Sequence, residues 1–317
     1  MQLHELVNTI GQDLQRRYGE KVHKLTLHGG FSCPNRDGTI GRGGCTFCNV
    51  ASFADEQTQI QSIADQLQDR AGEIARAKKY LAYFQAYTST YAEVQVLKNM
   101  YEEALKAPGA DIVGLCVGTR PDCVPDSVLE LLTGYVEKGY ELWLELGLQT
   151  ANNDTLKRIN RGHDFAVYET ITQRARALGI KVCTHLIVGL PKETKADNLE
   201  TLDKVLAVGT DGIKLHSLHI VEGSTMAKAW KAGKLEAPNL EEYVDIATDI
   251  IQRTPANVVY HRVSSAARRP TLLSPLWCEN RWLAMTEIGR SLDKTGAQGM
   301  KTGSAFEYTL PVLNATD

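Results

Sequence analysis

The chain has 317 residues, of which 43% are hydrophobic and 23% are charged, enough for one large folded domain with a small appendage. A formal net charge of −3 argues against binding nucleic acid through a general positive field, although a local basic groove is compatible with it. No stretch approaches the roughly 20 apolar residues that span a bilayer, and the first residues lack the pattern of a secretion signal. We therefore expect a cytoplasmic protein without a membrane segment.

Short apolar runs alternate along the chain with longer amphipathic stretches, and this alternation predicts a parallel sheet with right-handed crossovers. The runs predict strands, and the amphipathic stretches predict helices. The predicted strands are 22–28, 80–84, 112–117, 142–146, 182–188 and 212–218. The predicted helices are 60–78, 94–105, 126–138, 164–178 and 196–208. Periodicity alone fits a barrel and an open doubly wound sheet equally well.

Polar and glycine-rich segments follow these strands directly, as at 28–30, 118–122, 149–150 and 189–191. Functional groups collected at the C-terminal ends of parallel strands are typical of a β/α barrel. We therefore predict an α/β fold, a partial (β/α)6 TIM-like barrel. A helical lead-in would span 1–20, the core barrel 21–255 and a small C-terminal extension 256–317, with one more strand at 257–263 and a helix at 276–292.

Three cysteines lie in a glycine-rich loop after the first predicted strand. Eleven residues separate Cys33 from Cys45, and two separate Cys45 from Cys48. Three thiolates can bind three irons of a cubane cluster and leave the fourth iron without a protein ligand, so that it can bind another molecule. The alternative is a zinc site with His28 as the fourth ligand, because C-x-x-C pairs are common zinc ligands.

The other four cysteines are scattered. Cys116 and Cys183 lie inside apolar strands, which predicts core packing. Cys123 and Cys278 have no spacing that supports a second metal site. Lys214 and His216 share one face of the sixth strand, because side chains alternate along a strand. They lie either on the wet face of an edge strand or in a polar barrel interior that faces a ligand, and the second interpretation explains them better.

The loop resembles that of the radical S-adenosylmethionine superfamily, with Phe47 just before the last cysteine. Its long first gap is similar to the YhcC/YtqA-type branch, which includes relatives of the elongator catalytic subunit. The segments that carry this likeness run from Thr26 to Gly38, from Gly118 to Cys123 and from Trp277 to Arg281. The common superfamily pattern has a much shorter first gap.

The resemblance implies a [4Fe–4S] cluster on Cys33, Cys45 and Cys48, and S-adenosylmethionine as the second cofactor. It implies that Gln149 contacts the ribose, that Arg161 meets the methionine carboxylate, and that the segment containing His185, Gly189 and Pro191 lies beside the adenosine. The usual Gly-Gly-Glu after strand two, which holds the methionine amine, is replaced by Gln85, Ala86 and Tyr87, which lack its carboxylate. Their backbone carbonyls could still serve, so these three are also candidate cofactor-binding residues.

The resemblance further implies reductive cleavage of S-adenosylmethionine to a 5′-deoxyadenosyl radical, with a flavodoxin- or ferredoxin-type electron donor. Lys214, His216, His219 and Arg120 are the candidate catalytic residues that contact substrate. The substrate class implied by elongator-type relatives is the wobble uridine of tRNA. The basic pairs His261-Arg262 and Arg268-Arg269 could then meet phosphates.

Two alternatives stay open at this point. The substrate could be a small metabolite or a peptide. The protein could also be a non-catalytic iron–sulfur or zinc protein that senses redox state or binds RNA. Only about sixty residues of the sequence follow the core, so we expect no acetyltransferase domain like that of elongator and no acetyl transfer.

Overall fold

The computed structural model describes residues 2–49, 61–74 and 77–308. Seven parallel strands form one curled sheet in the order β1-β2-β3-β4-β5-β6-β8. They are β1 Val22–Leu27, β2 Lys79–Phe84, β3 Asp111–Thr119, β4 Glu141–Gln149, β5 Lys181–Val188, β6 Gly212–Ser217 and β8 Val259–Arg262. The short strands β7 Ile220–Val221 and β9 Leu272–Ser274 pair antiparallel in a second sheet. The fold is therefore an α/β half-barrel, as the polar segments after the predicted strands indicated.

Helices connect successive strands and pack on the outside of the sheet. The helices before and along the barrel are α1 Leu3–Leu6, α2 Ile10–Tyr18, α3 Pro34–Asp37, α4 Ile63–Glu73, α5 Val94–Leu105, α6 Asp126–Glu137, α7 Asn153–Arg158, α8 Phe165–Ala177 and α9 Lys195–Val208. The C-terminal helices are α10 Thr225–Lys231, α11 Leu240–Arg253 and α12 Arg281–Thr295. In the part of the chain that the structure describes, no helix is long and apolar enough to cross a membrane.

All six predicted strands and the additional strand at 257–263 are present. The predicted helix 60–78 corresponds to α4, although residues 60, 75 and 76 lie outside the described residues. The predicted helix 276–292 begins with a 3-10 turn at Leu276–Glu279, and α12 starts afresh after Asn280, whose side chain caps it. Sequence analysis missed α11, although Asn239 and Glu242 form a capping box at its start.

The division at 255 stays a prediction, and backbone pairing crosses it in at least two places. The strand β8 lies in the predicted extension, yet it pairs with β6 in the main sheet. The lead-in reaches the same strand, because the Tyr260 N–H donates to the Asn8 carbonyl oxygen over 2.8 Å. The two ends of the chain therefore meet at the last strand of the sheet.

The narrow end of the half-barrel interior is apolar. Helix α2 closes it with Leu14, which packs on side chains that point inward from six strands. These are Val22, Leu81, Tyr83, Cys116, Trp143, Cys183 and Val259, all less than a tenth exposed. The prediction that Cys116 and Cys183 pack in the core is confirmed. This apolar floor leaves the opposite end, where the strands terminate, for polar groups.

Candidate active site

A cavity of about 300 Å³ opens at the C-terminal ends of the strands. Thirteen of the sixteen site residues predicted from the sequence line it. They are Cys33, Cys45, Phe47, Cys48, Gln85, Tyr87, Arg120, Gln149, Arg161, His185, Lys214, His216 and His219. Site residues that were predicted on six separate strands and their loops therefore meet in one cavity.

The other three predicted residues do not line this cavity. Ala86 is buried. Gly189 has φ of +92°, and a Cβ there would fall 2.5 Å from Pro238, so packing and backbone conformation both require glycine. The carbonyl of Pro191 accepts a hydrogen bond of 2.8 Å from Arg158. In the structure these residues shape the loops behind the cavity, and a cofactor contact from any of them stays a prediction.

The cysteine loop brings three thiols to one end of the cavity. Cys33 precedes α3, and its carbonyl accepts hydrogen bonds from the N–H groups of Arg36 and Asp37. The chain then reverses, and the Cys48 N–H donates to the Cys45 carbonyl over 3.0 Å. At Gly44, φ is +79° and an added Cβ would fall 2.8 Å from Arg36. Glycine at this position lets the loop fold back over Arg36.

Hydrogen-bond donors surround the cysteine sulfurs. Arg161 directs Nη1 to the Cys45 Sγ at 3.4 Å, and Asn35 directs Nδ2 to the same sulfur at 3.6 Å. Burial raises the pKa of the Cys48 thiol, Arg36 lowers it, and Cys45 and Cys33 raise it further. Three clustered thiols with cations beside them suit thiolate ligands, whose negative charge such donors stabilise. The residues present therefore fit an iron–sulfur cluster.

The spacing of the thiols argues against a single zinc ion. In the described residues, the sulfurs of Cys33, Cys45 and Cys48 do not all lie within 4.8 Å of one another. A different set of three potential ligands does meet that distance. Tetrahedral zinc with bonds of about 2.3 Å would hold its ligands closer than that. In a cubane each thiolate binds a different iron, so wider spacing is expected.

The strand ends beside the cysteines have unusual backbone conformations. Tyr87 has φ of +63° and Gln149 has φ of +81°. Gln149 lies at a bulge between β4 and β5, where the register shifts after Gly147. A Cβ at Gly147 would fall 2.7 Å from the Arg161 guanidinium. Non-glycine residues in the left-handed region concentrate at functional sites, and both of these were predicted from the sequence to bind cofactor.

Two predicted arginines are held in place by the protein. Arg161 donates to the Gly147 carbonyl oxygen through Nε at 3.0 Å. Arg120 forms a bidentate pair with Asp122 at 2.9 and 2.7 Å, and it also donates to the Arg161 carbonyl at 2.7 Å. Arg120 is 2% exposed, and its remaining nitrogen, Nη1, is buried without a partner. Arg120 thus retains one donor beside the cysteine end of the cavity.

A buried ionic layer lies between the apolar floor and the cavity, and it is centred on Glu145 of β4. Lys24 donates to this carboxylate at 2.6 Å and Lys214 at 2.9 Å. His185 Nε2 lies 2.9 Å and His261 Nδ1 lies 3.1 Å from it. Lys214 also donates to the Tyr83 hydroxyl. We refer to Lys24, Tyr83, Glu145, His185, Lys214 and His261 as the Glu145 layer.

Charges in this layer are set by burial and by the two lysines. Burial opposes ionisation of Glu145, but Lys214 and Lys24 outweigh it and hold its pKa well below its usual range. Burial lowers the pKa of Lys214 to about 8, against the opposing attraction of Glu145. Burial lowers the pKa of His185 to about 4 and that of His261 to about 3, and the neighbouring lysines add to both shifts. Both imidazoles are therefore neutral near pH 7.

One group of potential metal ligands lies within the Glu145 layer and beside it. It consists of Glu145, Cys183 and His261, whose ligand atoms all lie within 4.8 Å of one another. Two ammonium groups already bind the carboxylate, and burial raises the pKa of Cys183 well above its usual range. A cation would have to compete with both lysines for Glu145 and displace a proton from the thiol. This set is therefore a charge-compensated part of the Glu145 layer.

Sequence analysis interpreted His261 and Arg262 as surface groups that could meet RNA phosphates, and for His261 this is wrong. The His261 side chain is fully buried in the Glu145 layer. The register between β6 and β8 shifts after Ile213, so that Lys214 faces Arg262 and His261 is skipped. Such a bulge turns two successive side chains toward one face, and Arg262 accordingly lines the cavity. Arg268 and Arg269 are exposed.

Sequence analysis also missed Lys24, Tyr83, Glu145 and Arg262 as site residues. Two signals were available. Lys24 lies in β1 between two buried positions, Val22 and Leu25, and Glu145 lies between apolar neighbours in the middle of β4. A charged side chain within a buried parallel strand is rare unless it is paired, so the two opposite charges could have been matched.

Comparisons with known proteins agree with this geometry. The sequence model of the Radical SAM superfamily matches residues 35–205, and that of the Radical SAM C-terminal domain matches residues 210–294. The chain is 66% identical over 303 residues to the protein YhcC of Escherichia coli K12, covering 96% of this chain and 97% of that one. It is 39% identical over 295 residues to YtqA of Bacillus subtilis, covering 92% and 90% respectively.

A solved structure of similar fold is the archaeal Elp3 of Methanocaldococcus infernus. The TM-score is 0.62 at 18% sequence identity, and the match covers 87% of this chain and 64% of that one. At this identity the likeness concerns the fold alone. It extends over most of the half-barrel described above.

Proposed function

The chain belongs to the radical S-adenosylmethionine superfamily, and on that premise we propose that it modifies the wobble uridine of tRNA in the cytoplasm. Enzymes of this superfamily use a [4Fe–4S] cluster and S-adenosylmethionine. When bound and reduced, the cluster supplies the electron that cleaves the sulfonium and releases a 5′-deoxyadenosyl radical, which is chemistry of the cofactor. We assign the cluster to Cys33, Cys45 and Cys48.

The observation that carries this assignment is the convergence of three free thiols and three arginines at one end of a cavity at the strand termini. Arg36, Arg120 and Arg161 lie beside the cysteines there. Cations balance the negative charge of a thiolate-bound cluster. An Arg–carboxylate pair also suits the methionine end of S-adenosylmethionine.

The chain's own side chains bind and orient the second cofactor. In this proposal Arg161 moves part of its hydrogen bonding from the Gly147 carbonyl to the methionine carboxylate, while Gln149 contacts the ribose. His185 uses Nε2 for Glu145, so only Nδ1 is left for a ligand. Without a carboxylate at 85–87, the amine would bind carbonyl oxygens at the left-handed turn of Tyr87. Phe47 covers the cluster from the loop and excludes water.

Wobble-uridine modification is supported by the sequence resemblance to elongator-type proteins, which for elongator complex protein 3 of Schizosaccharomyces pombe is 30% identity over 181 residues. A cavity of about 300 Å³ lies at the lower end of the range for small-molecule sites, so an RNA substrate would present a single base to it. Lys214, His216, His219 and Arg120 would contact that base or its side chain. A flavodoxin- or ferredoxin-type protein would supply the electron, in a compartment that keeps the thiols reduced.

The radical chemistry is tested by anaerobic reconstitution with iron and sulfide, followed by dithionite and S-adenosylmethionine. We expect acid-labile sulfide and 5′-deoxyadenosine from the wild-type chain. A purified protein that carries zinc and no sulfide would contradict the cluster assignment. A protein with a full cluster but no 5′-deoxyadenosine would instead indicate a redox sensor.

The substrate is tested by comparing modified nucleosides in tRNA from anaerobically grown cells with and without the gene. We expect one wobble nucleoside to disappear and its precursor to accumulate when the gene is absent. Complementation with the wild-type gene should restore it, and complementation with a Cys45→Ala gene should not. An unchanged nucleoside profile would contradict the tRNA proposal and favour a small metabolite or a peptide.

A further inference from the structure

The two ends of the cavity differ in how their cations are paired. At the cysteine end, Arg161 donates to the Gly147 carbonyl and to a cysteine sulfur, and Arg120 is paired with Asp122. The opposite end lies at the termini of β6 and β8 and contains His216, His219 and Arg262. We refer to it as the β6–β8 end.

Arg262 has no anionic partner at this end. Its guanidinium makes no hydrogen bond or ion pair with any group in the part of the chain that the structure describes, although it lines the cavity. It lies close enough to depress the pKa values of Lys214, His216 and His219. Glu145, the carboxylate of the adjacent layer, already binds four other side chains. The charge of Arg262 at the cavity wall is therefore available to an anion that enters the cavity.

His216 provides a second polar group without a partner at the same end, independent of Arg262. Its Nε2 atom is buried and has no hydrogen-bond partner among the described residues, and its ring lies 5.4 Å from that of His185. By contrast, His219 Nε2 lies 3.1 Å from the Ser217 hydroxyl and 3.2 Å from the Ser265 hydroxyl. Buried polar atoms without partners are rare in native structures and call for an explanation such as a missing ligand.

We propose that Arg262 and His216 form a receptor for an oxyanion of the substrate, a carboxylate or a phosphate group. The inference rests on the proposed function, since it places the substrate in this cavity beside the radical source. The planar guanidinium binds either oxyanion through two parallel hydrogen bonds, and the buried imidazole completes the receptor with one more polar contact. Arg262 is thus a specificity-determining residue, and the substrate carries negative charge where it meets the β6–β8 end.

The receptor is tested on the reconstituted full chain by anaerobic modification of arginines with phenylglyoxal. The extent of reaction at Arg262 is measured by mass spectrometry of peptides, with and without acetate or inorganic phosphate as the probe. Arg290 is an exposed arginine of α12 and serves as the internal control. We expect the anion to slow modification of Arg262 and to leave that of Arg290 unchanged.

Acetate and inorganic phosphate distinguish the two possible oxyanions, a carboxylate and a phosphate group. Selective protection by acetate indicates a carboxylate on the reacting part of the substrate, and selective protection by phosphate indicates the backbone of a nucleic acid. Protection of Arg262 by both anions supports a receptor that binds either oxyanion. Equal reaction of Arg262 with and without either anion would overturn the receptor. Formation of 5′-deoxyadenosine by the same wild-type sample reports separately on the proposed radical chemistry.

Variants test the consequence for the substrate. Total tRNA from cells lacking the gene is added to reconstituted enzyme, and the tRNA-dependent formation of 5′-deoxyadenosine is measured. We expect Arg262→Gln to raise KM about tenfold or more, the effect of losing a charge-assisted pair, with a smaller change in kcat. Arg262→Lys should recover part of the loss, and Arg290→Gln, at an exposed arginine of α12, should match wild type. An unchanged KM in a cluster-loaded Arg262→Gln variant would contradict the receptor.

Discussion

The cysteine loop and the Glu145 layer lie on either side of the same cavity, but the chain builds them differently. A single loop of sixteen residues, 33–48, supplies all three cysteines. The Glu145 layer takes its six side chains from β1, β2, β4, β5, β6 and β8. The loop therefore concentrates the chemistry in one local segment, while the layer depends on the register of the whole sheet. Substitutions in the first should affect cofactor content, and substitutions in the second should affect stability.

The largest expected effect is in the loop. Replacing Cys45 with alanine removes one thiolate ligand, and we expect loss of most iron and acid-labile sulfide and of detectable 5′-deoxyadenosine formation. Cys116→Ala is the matched control, because Cys116 is a buried thiol in the apolar floor. It should retain the cluster. A Cys45→Ala protein with the wild-type content of iron and sulfide would refute the ligand assignment.

The second-largest expected effect is a loss of stability when the Glu145 layer is changed. Glu145→Gln leaves Lys24 and Lys214 without a buried anion, and the free energy of unfolding should fall by about 3–5 kcal/mol. Glu141→Gln in the same strand is the control, because its partners Arg17 and Lys181 have side chains 33% and 39% exposed and remain hydrated. Its loss should be about 1–2 kcal/mol. Urea unfolding measures both, and equal losses would remove the distinction between the two glutamates.

The layer should also make stability depend on pH. In this layer His185 and His261 have folded pKa values of about 4 and 3, below the usual value. His219, which lies outside the layer, has a folded pKa of about 4. The unfolded chain therefore binds more protons as pH falls from about 6.5 to 4, and stability, greatest above this window, is lost through it.

Each of these histidines contributes up to about 1.4 kcal/mol per pH unit within that window. Glu145, with a depressed pKa, loses its contribution only at lower pH. Urea unfolding at a series of pH values measures the slope, and His261→Asn should reduce it. A slope unchanged by this substitution would contradict the assignment of a neutral, buried His261.

The smallest expected effect concerns the Tyr83 hydroxyl. Tyr83→Phe removes one hydrogen-bond acceptor of Lys214 and leaves the lysine bonded to Glu145. The free energy of unfolding should fall by about 1 kcal/mol, with the iron content unchanged. A loss as large as that of Glu145→Gln would show that the tyrosine, and not the carboxylate, holds the layer together.

The same contrast explains how much the sequence could predict. The cysteines were found because ligand spacing within a loop is a local property of the sequence. Strand positions were found from hydrophobic alternation, and residues at the strand ends followed from the barrel topology. His261 was misplaced because a bulge between β6 and β8 determines which face it points to. A bulge depends on long-range pairing, and no local residue pattern specified it.

The curled sheet does not close on itself. In the described residues no strand pairing joins its first and last strands, β1 and β8, although Tyr260 of β8 also forms a bridge to Thr9 of the lead-in. A side-chain contact joins them, with Lys24 Nζ 2.8 Å from His261 Nδ1. A closed ring of strands admits a free end or a small molecule to its centre, whereas a sheet with an open seam can also receive one residue of a long polymer from the side. In the described part of the chain, side-chain contacts and no pairing of strands hold β1 beside β8 at this seam.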